Sequence, residues 1–247
     1  MPEYVYRYMQ GNDIRWYASE PLHVHATRAA AAAAAATKKR VTLEDGRYIE
    51  WAETSTSFGV CYALATYWII KRARGEDFLA WLQPGSRACP DIAGAVNPGA
   101  GQMVADIKSM QVSQHGKDST IKIFDAITRI KQETGLVSRD SVPVKKGDIK
   151  AKEGFTVVVI TGQRKVAGAQ DFGGKDGFNH AIAVHVVDPT HVFLFDPNRG
   201  EIKLGSVAET NQFIAYLCTN AKQYNLASFD LEWAAVASNR ITKGNFS

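Results

Sequence analysis

The sequence predicts an α+β fold, with a helical lobe packed on an antiparallel β-sheet lobe. Helical periodicity dominates about residues 58–135, whereas about residues 154–237 alternate and turn as paired strands do. Between Phe58 and Ile70 runs an almost wholly apolar helix with a cysteine in its first turn, the stretch around which the rest is organised.

The 247 residues suffice for one large domain or two small ones, and 45% hydrophobic with 22% charged residues is the composition of a soluble globular protein. No apolar run has the length needed to cross a bilayer. The first residues, Met1-Pro2-Glu3-Tyr4-Val5-Tyr6, lack the basic and apolar regions of a secretory signal, so export would need a route without a cleaved signal, or a larger chain. A net charge of +4 is mild, and Lys38-Lys39-Arg40, Lys71-Arg72-Arg74 and Lys145-Lys146 make no basic stripe interleaved with aromatics, so nucleic acid is not an expected partner. Cys61, Cys89 and Cys218 are few and far apart, which fits a reducing compartment and no structural metal site.

In chain order, residues 1–40 read as an N-terminal extension and 41–247 as the main domain. Tyr4, Tyr6 and Tyr8 alternate as in a strand docked on the body. Ala29 to Ala36 predict a helix, offering little side chain for chemistry. Residues 41–51 place Asp45-Gly46 between alternating apolar positions, the pattern of a short hairpin. Next comes the cysteine helix, preceded by Glu53-Thr54-Ser55-Thr56-Ser57, rich in capping residues, and closed by Lys71, Arg72, Arg74 and Gly75. Residues 76–82 add a helical segment, and the Pro- and Gly-rich stretch 83–101, which contains Cys89, is a long loop. Helical periodicity returns at 102–114 and at 119–133, where Ile121, Ile123, Phe124, Ile127 and Ile130 are expected to form one apolar face.

After a charged connection at 135–153, Thr156 to Thr161 predict a buried strand. The glycine-rich stretch 166–177 reads as a flap or as a plain surface loop. Residues 177–187 and 191–196 predict a hairpin turning at Asp188-Pro189-Thr190, and 201–204 a further short strand. Val207 to Tyr224 predict an amphipathic helix with Phe213, Ile214, Tyr216 and Leu217 inward and Cys218 in the core; 228–237 predict a last strand.

Three residues in this pattern suit nucleophilic chemistry. A helix N-terminus carries unpaired N–H groups and partial positive charge, both of which favour a thiolate at Cys61. The hairpin brings its two open ends together, His180 on one strand and Asp196 at the end of the other, so the carboxylate can orient the imidazole facing a nucleophile. His185 lies an odd number of positions from His180, so a regular strand turns them to opposite faces and only one can face the cysteine helix. His180, at a strand end, is the expected base, and His191 sits near the closed turn, away from Asp196. A metal site built from Cys61, His180 and Asp196 lacks a close ligand pair.

These islands, Gly59-Val60-Cys61, Asn179-His180-Ala181-Ile182-Ala183 and Phe195-Asp196-Pro197-Asn198-Arg199-Gly200-Glu201, in that order, resemble the YopT/AvrPphB-type cysteine proteases. The resemblance implies a papain-like cysteine protease fold in which Cys61 is the nucleophile, His180 the general base and acid, and Asp196 the orienter. It further implies a secreted bacterial effector or toxin domain, working without a cofactor on a host or competitor protein in the cytosol of the target cell. One departure stands out. Papain-like enzymes place Gln or Asn a few residues before the cysteine to help hold the oxyanion, whereas this chain has Thr54, Ser55, Thr56 and Ser57. A deamidase, transglutaminase-like or peptidoglycan amidase toxin with the same three residues remains open, as does a catalytically silent binding module.

Overall fold

The computed structural model describes residues 2–7, 20–24, 40–42, 47–50, 61–82, 106–107, 109–110, 117–136, 144–150, 153–165, 177–221 and 224–236. The polar run before Cys61, the alanine run, the loop with Cys89 and the glycine-rich stretch up to residue 176 lie outside them.

The body is a seven-stranded, wholly antiparallel sheet. Its strands are β1 (Glu3–Arg7), β5 (Lys145–Lys146), β6 (Gly154–Arg164), β7 (Gly177–Asp188), β8 (His191–Asp196), β9 (Gly200–Leu204) and β10 (Leu226–Val236), in spatial order β1-β9-β8-β7-β6-β10-β5. β6 and β7 at its centre are runs of Val, Ile and Ala, as burial on both faces demands. The tyrosine-rich N-terminal segment is the edge strand β1 beside β9. A second sheet of three strands, order β2-β4-β3, joins β2 (Glu20–Val24), β3 (Arg40–Thr42) and β4 (Arg47–Glu50), so the expected hairpin forms and gains a third strand.

Helices cover both faces of the large sheet. On one face lie α1 (Cys61–Arg74), α2 (Phe78–Leu82) and α3 (Ser119–Thr134), which bury Leu64, Trp68, Ile69, Phe78, Ile123 and Ile130 against Val157, Val159, Ala183 and Phe195. α1 ends where the sequence places the stop. Gly75 takes φ +73°, and the Glu76 N–H closes the last turn on the Lys71 carbonyl at 2.9 Å. α3 is capped by the Asp118 carboxylate, which accepts from the Ile121 N–H, and by left-handed Gly135. Its packing face is Ile123, Ala126, Ile127 and Ile130; Ile121 and Phe124, expected to share it, are 44% and 48% exposed. The helical period explains the split, since positions two apart from Ile123, or one, rotate off a face defined by steps of three and four.

On the other face lies α4 (Val207–Asn220), burying Ile214, Leu217 and Cys218 against Val158, Ile182, Val184, Leu194 and Ile202. Tyr216, expected inward, is 60% exposed. α4 also ends short of Tyr224. Ala221 turns to extended backbone, and the Tyr224 and Asn225 N–H groups both bond the Ala221 carbonyl. No helix among the described residues is long and apolar enough to cross a membrane.

Candidate active site

Cys61 is the first residue of α1, so its backbone N–H has no partner within the helix. Tyr62, next to it, donates its hydroxyl to the Lys122 carbonyl at 2.5 Å, fixing the start of α1 to the first turn of α3. His180 sits near the beginning of β7 and Asp196 is the last residue of β8. Ala183 pairs with Phe195, which by continuation sets Asp196 opposite Ile182, on the same face as His180 but one diagonal step away. The His180 Nε2–Asp196 Oδ1 distance is 2.9 Å. The two strand ends therefore meet, diagonally rather than side by side.

The Asp196-Pro197-Asn198-Arg199-Gly200 turn locks the carboxylate. The Asn198 N–H donates to Oδ1 at 2.9 Å, the Arg199 N–H bonds the Asp196 carbonyl at 2.8 Å, and Gly200 supplies φ +102°. His180 and Asp196 are 3% and 0% exposed, and Cys61 only 7%.

The Cys61 thiol lies within hydrogen-bonding reach of the His180 ring and of the Ala181 backbone. Since Nε2 is turned to Asp196, Nδ1 is the ring nitrogen open to sulfur. The electrostatics favour charge separation. Burial pushes the Cys61 thiol up, yet the His180 charge and hydrogen bond, with the Ala181 backbone and the Lys122 charge, hold it below its ordinary value. Burial pulls His180 down, but Cys61 and Asp196 raise it well above the usual histidine range. Burial likewise opposes ionised Asp196, and His180, Tyr224 and the Asn198 N–H more than offset it. The two shifts point the same way, toward a thiolate beside an imidazolium.

His185 takes another part. The parity argument puts it on the opposite face from His180, and it is the His185 face that α1 covers. Arg72 Nε donates to His185 Nδ1 at 2.9 Å, and Phe155 stacks on the ring at 4.1 Å. His180 meets α1 only at the helix start, where Cys61 approaches the backbone of Ala181. Burial and Arg72 push His185 down to about 4. His191 bonds Asp188 at the exposed hairpin turn. Cys218, pushed up to about 12 by burial and by the nearby Asp196 charge, is a core thiol. Among the described residues no group of three or more His, Cys, Asp or Glu is placed to hold a metal.

Three neighbours of this site escape a sequence reading. Tyr224 donates its hydroxyl to Asp196 Oδ2 at 2.6 Å and lies 3.1 Å from His180 Nε2. Asn198 donates from Nδ2 to the Tyr224 oxygen at 3.3 Å. Lys122 is half-buried near Cys61, held below the usual lysine range by burial. Lys122 shows no periodicity signal, and Tyr224 reads as the end of α4. Asn198, inside a turn motif, carries a signal for the turn alone.

The family described as Yersinia/Haemophilus virulence surface antigen, a peptidase family, matches residues 22–232. Among solved structures, the crystal structure of the Pseudomonas avirulence protein AvrPphB is similar at 19% identity with a TM-score of 0.41, over 72% of this chain and 91% of that one. No curated protein matches the sequence.

Proposed function

This chain belongs to the Yersinia/Haemophilus virulence surface antigen family and is a cysteine peptidase, and we propose that it cleaves peptide bonds with Cys61, His180 and Asp196 as its catalytic residues. The observation that carries the reading is the meeting of the Cys61 thiol with a His180 ring whose far nitrogen is bonded to Asp196 at 2.9 Å.

The steps follow from that arrangement. The Cys61 thiolate attacks the amide carbonyl carbon, and the electron pair moves to oxygen. The backbone N–H of Cys61, without a partner within the helix, is one donor for that oxyanion. As the tetrahedral species collapses, the C–N bond breaks and the His180 imidazolium gives its Nδ1 proton to the leaving amine. A water molecule, deprotonated by the now neutral His180, attacks the thioester and releases the acid and the thiolate. Asp196 stays ionised throughout and keeps Nε2–H pointed away from the sulfur, the orienting role a buried carboxylate plays in such triads.

The family supports a virulence role, and we extend it to a secreted effector acting on a protein of a host or competitor cell. The test is N-terminus mapping of target-cell lysate treated with wild type or Cys61→Ala. New N-termini confined to wild type are expected. Glutamine deamidation without new termini, or no Cys61-dependent product at all, would overturn peptide hydrolysis.

A further inference from the structure

We propose that Tyr224, steadied by Asn198, is a positioning residue that fixes the proton of His180 on Nε2; this rests on the catalytic reading above. The phenol is 1% exposed and its oxygen is placed among three polar partners. It has one hydrogen to give, and the 2.6 Å contact to Asp196 Oδ2 takes it. Toward His180 Nε2, at 3.1 Å, the oxygen must then accept. Asp196 Oδ1, at 2.9 Å from the same nitrogen, can only accept as well. Two acceptors therefore converge on Nε2, and both are satisfied only when that nitrogen carries a proton. The tautomer with a bare Nε2 would face a carboxylate and a phenol oxygen and would lose both bonds. The consequence is an Nδ1 free to take the proton of Cys61 and return it to a leaving group.

Asp196 alone could favour this tautomer, but a carboxylate with an empty Oδ2 can turn. Tyr224 closes that freedom, because Oδ2 is bonded to Tyr224 while Oδ1 is bonded to His180 and to the Asn198 N–H. The ring itself is held. Phe178 packs edge-on at 5.2 Å, and the turn on the Ala221 carbonyl sets the backbone. Burial and Asp196 push the phenol well up, so it stays a neutral donor wherever a peptidase works. The charged and titratable groups around this cluster are Cys61 and Lys122 on the helical side, Asp196 and Arg199 in the turn, and Cys218 on α4.

The test reads iodoacetamide alkylation of Cys61 by mass spectrometry between pH 4 and 9 (probe conditions of the usual thiolate range), on the whole chain, with thermal melting alongside. In Tyr224→Phe the alkylation midpoint is expected to move up and the rate at pH 6 to fall roughly three- to tenfold, the worth of one buried hydrogen bond. Asn198→Ala is expected to shift the profile the same way by about twofold, as a weaker bond would. Ile214→Val, which loosens α4 without touching the hydroxyl, should lower the melting temperature and leave the profile in place. A folded Tyr224→Phe whose profile superimposes on wild type overturns the inference. Should that variant fail to fold, Asn198→Ala decides, a shift supporting the inference and a superimposed profile overturning it. A wild-type Cys61 that alkylates no faster at pH 6 than a free peptide thiol overturns the catalytic reading itself, a result distinct from either variant's.

Discussion

His180 and His185 stand on one strand, in one sheet, both largely buried, and their protonation is driven in opposite directions. Burial disfavours the charged ring at both positions. At His180 the neighbours are acids, Cys61 and Asp196, and they reverse the effect of burial. At His185 the neighbour is the Arg72 guanidinium, which reinforces it. Arg72 also binds Glu201 at 2.8 Å, Trp68 Nε1 donates to the same carboxylate at 2.8 Å, and Tyr6 from β1 comes beside them. Toward one end of β7 the neighbours favour a charged ring, and toward the other they keep a neutral ring between Arg72 and Phe155. The lesson is that the sign of the neighbouring charge, more than depth of burial, separates a histidine held protonated from one held neutral.

The comparison can be broken most sharply at the first end. Cys61→Ala or His180→Ala should remove activity by about four orders of magnitude or more, and Asp196→Asn by about two to four, as in triads whose members act as a unit. In His180→Ala the rate of Cys61 alkylation at pH 6 should drop to that of a free peptide thiol, a measurement that needs no substrate. If the alkylation rate stayed high, the ion pair would not be its source.

At the second end the expected loss is in stability and leaves the thiol untouched. Arg72→Met takes the cation from Glu201, which is 4% exposed and keeps the Trp68 N–H, and should cost about 3 kcal/mol in chemical denaturation. Its alkylation profile should superimpose on wild type; a displaced profile would mean the two ends are coupled.

A smaller effect concerns pH. The folded value of His185 is depressed to about 4, below its unfolded value near 6.5. Between those limits the unfolded chain takes up a proton that the folded one refuses, so stability falls as pH drops from about 6.5 to 4 and levels off below. His185→Phe should flatten that segment of the stability profile, seen by thermal melting across the range. A profile as steep as wild type would assign the loss to other groups.

The smallest expected change is at Lys122. Removing its charge with Lys122→Met should raise the Cys61 alkylation midpoint by a few tenths of a pH unit, the size of a partly screened charge contribution. High salt should blunt the wild-type profile in the same direction.

Much of this molecule was legible from residues alone. The apolar run ending in Lys71, Arg72, Arg74 and Gly75 specifies a buried helix with its stop, and Asp188-Pro189-Thr190 specifies the hairpin, because both signals are local backbone chemistry. Period alone also separates His180 from His185. What period could not supply was which face α1 would cover. The exposure of Ile121, Phe124 and Tyr216 is a different matter, since steps of three and four already set them beside the packing stripe, whereas the face that α1 covers depends on the packing of layers. Tyr224 was out of reach for the same reason. It follows a helix whose pattern runs smoothly toward it, and its hydroxyl acquires meaning only when α4 ends early and the turn on the Ala221 carbonyl sets Tyr224 beside Asp196. Local sequence determined the elements and named the candidate side chains; the approach of groups distant along the chain, and with it the sign of every charge around each histidine, was decided by tertiary packing, because Coulomb interactions and burial depend on distance in space rather than on separation along the chain.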